Sequence, residues 1–187
     1  LSVEAICNML VHLGIKRLLT INAHFMKGNE FMDIGGMKIE NINAVPLLLK
    51  GCKDVVIVPD EGMAAMVEGI DNVVIFNKKR KEYADNEKTA YRCIGEMFVK
   101  SGKILPGAHV LIIDDMISSG GTMIKAVELA KRCGAKKISV SCIHGLFLSG
   151  AELKLYEAGA EEISATDTIE TALSEISVAG VIAERLR

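Results

Sequence analysis

Short apolar runs rich in Val and Ile alternate along the chain with stretches whose apolar residues recur every three or four positions. The runs at 18–21, 55–58, 73–76, 110–113, 138–143 and 162–165 predict buried strands. The periodic stretches predict helices over 3–13, 45–50, 63–68, 122–132, 151–158 and 178–186. Ser2 is placed to cap the first helix, Val3, Ile6, Met9, Leu10 and Leu13 form its predicted inward face, and Gly14 stops it. The stretch 25–43 reads as loop, 77–88 as a charged loop, and 91–103 as a strand and a turn. Strands that alternate with helices predict an α/β fold, a parallel sheet with helices on both faces. Ligands of such sheets sit at the carboxyl ends of the strands.

One of these strand ends stands out. Val110-Leu111-Ile112-Ile113 stops at Asp114-Asp115, and Ser118-Ser119-Gly120-Gly121-Thr122 follows. The pattern predicts a buried strand, an acidic turn, a glycine-rich loop and a helix start, with Thr122 placed to cap the helix. Unpaired N–H groups at a helix N-terminus attract anions, and glycine lets the backbone close around phosphate oxygens. Two carboxylates beside such a cradle call for sugar hydroxyls or a cation. The stretch points to a ribose-phosphate site, against the plainer reading of an Asp-rich turn between strand and helix.

Composition narrows the function classes. The 187 residues fit one large domain or a domain and a half, and a hydrophobic fraction of 50% is ample for a core. A net charge of −2 argues against a nucleic-acid surface, and the absence of Trp argues against base-stacking platforms. The five cysteines include no Cys-x-x-Cys pair, so reduced thiols in a cytoplasmic protein are expected, not structural zinc or a disulfide framework. No apolar run approaches the ~20 residues that span a bilayer.

The segments 13–24 and 133–144 share glycine, two basic residues, a strand and a histidine at an offset of 120 positions. Under that offset Ser2 matches Thr122, so the strand and loop before Thr122 have no counterpart in the chain. The expectation is a chain that begins partway through the first of two related domains.

Asp114-Asp115-Met116 with Ser118-Ser119-Gly120-Gly121-Thr122 resembles the ribose-phosphate loop shared by type I phosphoribosyltransferases and ribose-phosphate pyrophosphokinases. Asn22-Ala23-His24 with Phe31-Met32-Asp33-Ile34, Val58-Pro59-Asp60-Glu61-Gly62, His144-Gly145-Leu146-Phe147, Ser149-Gly150-Ala151 and Thr166-Asp167-Thr168-Ile169 resemble the pyrophosphokinases, in the family's order. In this loop the chain looks closer to the archaeal-type enzymes. It departs from many members at Ser118, where they carry Asp, so no general base is expected there.

The resemblance implies a phosphoribosyltransferase-like fold in two related domains. Residues 1–35 would be an incomplete first domain, with 177–187 packing back on it, and 36–176 a second domain carrying the ribose-phosphate loop. It implies transfer of the pyrophosphoryl group of ATP to ribose 5-phosphate, a homo-oligomer, and no nucleic-acid or membrane partner. Asp114 and Asp115 would bind the ribose hydroxyls, and Ser118, Ser119, Gly120, Gly121 and Thr122 the phosphate. His24 and Asp60 would hold Mg²⁺, and Lys78 and Arg80 would stabilise charge on the transferred phosphates. His144, the repeat partner of His24, reads as structural. The alternatives are a phosphoribosyltransferase using a nucleobase and a non-catalytic ribose-phosphate-binding subunit.

Overall fold

A computed structural model describes residues 2–26, 30–50, 54–78, 97–104 and 106–186. Helix α1 (Val3–His12) precedes a small sheet of β1 (Arg17–Ile21), β2 (Glu30–Ile34) and β3 (Met37–Ile42). Its order is β1-β3-β2, with β3 parallel to β1 and antiparallel to β2. The rest forms α2 (Val45–Leu48), β4 (Val55–Val58), α3 (Glu61–Ala64), β5 (Val73–Lys78), β6 (Met97–Ser101) and β7 (His109–Ile117), then α4 (Gly121–Arg132), β8 (Lys137–Gly145), α5 (Ala151–Ala158), β9 (Glu162–Thr166), β10 (Ser174–Ile176) and α6 (Ala179–Arg185). The seven strands from β4 onward make one sheet in the order β10-β9-β8-β7-β4-β5-β6, parallel except for β6.

Helices cover both faces of this sheet, as the alternating pattern predicts. Met123, Ala126, Val127 and Ala130 of α4 and Leu155 of α5 pack on one face with Val110, Ile112, Val140 and Phe76. Val45 and Leu48 of α2 and Met63 of α3 pack on the other with Val56, Val58, Ile113 and Ile143. Connections run from β7 toward β10 on one side and from β4 toward β6 on the other. The switch point therefore lies between β4 and β7, where loops leave the carboxyl ends in opposite directions and open a crevice.

The structure changes several elements. Residues 30–42, expected as loop, form the β2–β3 hairpin, which turns at Gly35-Gly36 with φ of +61° and +85°. A two-residue turn with positive φ at both positions matches the twist of a hairpin, and glycine adopts it without strain. The small sheet thus draws on residues from both sides of position 36. Strand β10, which pairs with β9, lies in a stretch too short and too polar to show a strand period. On α1 the inward residues are Val3, Cys7, Leu10 and Val11, whereas Ile6, Met9 and Leu13 are exposed. Among the described residues the helix meets a three-stranded sheet, and rotation of about 100° per residue carries the second apolar stripe off it.

The two repeat segments have matching helix ends. Gly14 and Gly134 have φ of +87° and +94°. The bonds Leu13 N–H to Met9 O, Gly14 N–H to Val11 O and Ile15 N–H to Leu10 O recur at Cys133, Gly134 and Ala135. Arg17 and Arg185 flank the buried Glu40 carboxylate, at 2.7 and 3.7 Å, so α6 reaches the small sheet.

Candidate functional site

Asp114 and Asp115 lie within β7, not in a turn. The parallel ladder with β8 continues through Asp114 opposite Cys142 and Met116 opposite His144 to Ile117, and backbone pairing holds both acids in extended chain. Asp114 is buried and accepts a hydrogen bond from the Asp115 N–H at 2.9 Å. Burial, then the charges of Asp115 and Asp60, pushes its carboxyl well above the usual carboxylate range.

Asp60 follows β4 on the other side of the switch point. It caps α3, its Oδ1 accepting from Met63 N–H at 3.1 Å. Its field reaches both Asp114 and His24.

His24 sits in a turn three residues beyond the end of β1, not at the strand end itself. Its Nδ1 lies 2.6 Å from Asp115 Oδ2, although its side chain is 83% exposed. The hydrogen bond it donates to that carboxylate, followed by the charges of Asp115 and Asp60, raises the imidazole pKa above its ordinary value.

The turn that delivers His24 is built around Asn22, fully buried with φ of +42°. Asn22 Oδ1 accepts from Ala44 N–H at 2.6 Å, and Asn41 Oδ1 accepts from Ala23 N–H at 2.8 Å. His144 closes the junction, donating from Nε2 to Ile21 O at 3.1 Å while Nδ1 meets Thr168 Oγ1 at 2.9 Å. This is the structural role expected of His144. The positioning roles of Asn22 and Asn41 were not legible in the sequence; an Asn after a strand tolerates left-handed φ, a cue too common to single them out.

Helix α4 starts at Gly121, so Thr122 lies in its first turn and the cap is Gly120. Gly120 has φ of +77°, and a Cβ there would stand 3.1 Å from the Ala151 Cβ. The loop of Ser118, Ser119 and Gly120 thus passes between the ends of β7 and α5. Its backbone N–H groups and the positive end of a 12-residue helix lie just beyond the acid pair.

Lys78 ends β5, its backbone pairing with Met97. Arg80 lies outside the described residues. Among those described, no group of three or more His, Cys, Asp and Glu side chains is gathered so as to hold a metal ion.

Two hollows lie elsewhere. One of about 580 Å³ is lined by His109, Lys137 and Glu162, and one of about 680 Å³ by Asp54, Asn72 and Gly102. Both sit at the amino ends of the strands, opposite the acid pair. The candidate site is the carboxyl edge, where the acid pair, His24 and the helix N-terminus lie and the chain reverses its winding.

A parallel sheet whose central switch point carries an acid pair followed by a glycine-bounded helix start defines a class. The chain belongs to the phosphoribosyl transferase domain family, whose model matches residues 42–172. Within that class its relatives are ribose-phosphate pyrophosphokinases. It is 31% identical to ribose-phosphate pyrophosphokinase 2 of Archaeoglobus fulgidus over 188 residues, 99% of this chain and 66% of the relative. It is 32% identical to the ribose-phosphate pyrophosphokinase of Methanosarcina acetivorans over 180 residues, 94% of this chain and 61% of the relative. The crystal structure of phosphoribosylpyrophosphate synthetase from Mycobacterium smegmatis shares the fold, with a TM-score of 0.70 at 22% identity over 98% of this chain and 62% of that one. The chain therefore spans less than two thirds of the length of these relatives. No helix among the described residues is long and apolar enough to cross a membrane.

Proposed function

We propose that this chain serves a ribose-phosphate diphosphokinase, in which the anomeric hydroxyl of ribose 5-phosphate attacks the β-phosphorus of ATP, AMP leaves and 5-phosphoribosyl 1-pyrophosphate forms. The observation that carries the reading is the acid pair Asp114-Asp115 at the switch point, bonded to His24 and directly before the N-terminus of α4. The curated pyrophosphokinase relatives support it over a nucleobase-using transferase.

Asp114 and Asp115 accept hydrogen bonds from the ribose 2′ and 3′ hydroxyls. Ser118, Ser119, Gly120, Gly121 and Thr122 surround the 5-phosphate, which the N–H groups and dipole of α4 attract. Lys78 and Arg80 stabilise charge that develops on the transferred phosphates. Most of the rate enhancement comes from positioning and electrostatics.

The donor set fits Mg²⁺. Burial, then the charges of Asp115 and Asp60, holds Asp114 toward its neutral form, and a cation bound near these carboxylates would offset their charge. Mg²⁺ takes one or two protein ligands and fills its shell with water and substrate phosphates, so a dedicated cage of side chains is not required. Asp60 and His24 would hold it, His24 through a bound water, since this ion prefers oxygen. When bound, the ion neutralises and aligns the phosphate oxygens of ATP. In the crowd of carboxylates, His24 engages Asp115 and offsets part of its charge.

A homo-oligomer in the cytoplasm, without nucleic-acid or membrane partners, completes the proposal. The test supplies ATP, Mg²⁺ and ribose 5-phosphate and follows AMP, with ribose 5-phosphate binding measured by calorimetry. AMP formation together with binding supports the reading. Pyrophosphate release that depends on a nucleobase assigns a phosphoribosyltransferase instead, and binding without AMP assigns a non-catalytic ribose-phosphate-binding role.

A further inference from the structure

The phosphate loop has a second wall. The segment after β8 runs beside it, and three of that segment's N–H groups are spent on its carbonyls. Leu146 and Phe147 donate to Ile117 O at 2.9 and 3.1 Å, and Leu148 donates to Ser118 O at 2.9 Å. In a trans peptide the C=O and the following N–H point in opposite directions. Carbonyls of Ile117 and Ser118 that point at this segment therefore aim the N–H groups of Ser118 and Ser119 away from it.

The segment adopts a costly shape to do so. Phe147 and Ser149 have φ of +44° and +58°, left-handed values that L-residues rarely hold. Among the described residues only Asn22 and Asn72 share that property, and Asn tolerates it far better. Two such residues within three positions imply that the surroundings force the conformation. Packing supplies the force. A Cβ on Gly145 would meet the Phe147 ring at 2.5 Å and the Ala165 Cβ at 2.8 Å. The ring thus folds back over the end of β8, against β9. Ser149 is exposed, so no burial of its own side chain accounts for its backbone.

Resting on the ribose-phosphate reading, we infer that the segment 145–149 positions the phosphate loop. Its N–H groups tie down the Ile117 and Ser118 carbonyls and present the Ser118 and Ser119 N–H groups as preorganised donors to the 5-phosphate. The left-handed conformations of Phe147 and Ser149 bring those N–H groups into reach. Phe147 and Ser149 are positioning residues that do not touch the ligand.

The test compares Ser149→Val with Ser149→Gly. A β-branched residue resists φ of +58°, whereas glycine holds it freely. Ser149→Val is expected to weaken ribose 5-phosphate binding at least about fivefold by calorimetry and to leave ATP affinity unchanged, while Ser149→Gly binds like the parent. Gly145→Ala, which displaces the Phe147 ring, is expected to weaken binding at least about tenfold with cooperative unfolding retained. Equal affinity in the parent, Ser149→Val and Gly145→Ala would overturn the inference. Amide exchange separates this from the functional reading. In the unliganded parent the Leu146, Phe147 and Leu148 amides should be protected, and in Ser149→Val the Leu148 amide should lose protection. If those amides exchange freely in the parent, the inference fails whatever the chain binds. If they are protected but the parent does not bind ribose 5-phosphate, the ribose-phosphate reading fails, and with it the assigned role of the segment.

Discussion

His24 Nδ1 donates to Asp115 Oδ2 across 2.6 Å and joins the turn after β1, in the small sheet, to the acid pair of β7, in the large one. The residues are 91 positions apart. One carboxylate proposed for the ribose thus touches the imidazole proposed for the metal, so the two proposed subsites adjoin.

This pairing makes stability depend on pH with a definite sign. The folded-state pKa of His24 is raised above its ordinary 6.5, so the stabilisation is complete below about pH 6.5 and is lost as pH rises through the raised value. The pair is exposed on the His24 side, which limits it to about 1 kcal/mol or less. His24→Ala should therefore lower Tm by no more than about 4 °C at pH 6, and the difference should vanish in alkaline buffer. A deficit that grows with pH would contradict this origin.

Asp114 carries the opposite liability. Its raised pKa means the folded state loses stability as pH climbs from about 3.8 through the raised value, because burial, then the charges of Asp115 and Asp60, disfavours ionisation. Asp114→Asn keeps an acceptor for the Asp115 N–H and removes the charge. We expect it to raise Tm at pH 7 by a few degrees, roughly 1 kcal/mol, and to abolish ribose 5-phosphate binding. A lower Tm at pH 7 would sink the electrostatic account.

Asp115→Ala is expected to weaken ribose 5-phosphate by about 10- to 100-fold, the worth of hydrogen bonds to a charged acceptor, with a far smaller effect on ATP. Calorimetric titrations with each ligand decide it, and equal losses for both remove Asp115 from the ribose.

Lys78→Ala should lower turnover by about 10²- to 10³-fold and leave ribose 5-phosphate affinity within a factor of two or so. Rates of AMP release measured at saturating ribose 5-phosphate provide the check. Unchanged turnover excludes Lys78 from the mechanism.

Gly120→Ala places a Cβ 3.1 Å from Ala151 at φ of +77°. The left-handed conformation alone costs about 1–2 kcal/mol, or about 2–8 °C in Tm. A melting curve indistinguishable from the parent would show that the loop has another conformation available.

Much of the scaffold was legible because its cues are local. The β-branched runs at 55–58 and 110–113 are strands, and α5 spans Ala151–Ala158 as the period and Gly159 predict. The β2–β3 hairpin was hidden because its strands mix polar and apolar residues without clean alternation around Gly35-Gly36 and owe their order to β1 and α1. The outward apolar stripe of α1 was equally out of reach, since periodicity reports that a helix has an apolar face and not how wide a surface receives it.

The sequence by itself determined the strand–helix alternation, the acid pair before a glycine-rich helix start, and the family those residues resemble, because each depends on neighbours a few positions away. Only the tertiary structure decided that the acids lie inside β7, that His24 reaches Asp115 from a separate sheet while Asp60 follows the neighbouring β4, and that the segment 145–149 backs the loop that begins at Ser118. Those relations join residues tens of positions apart through strand order and packing. They come into being only when the sheet assembles and its switch point brings distant strand ends together.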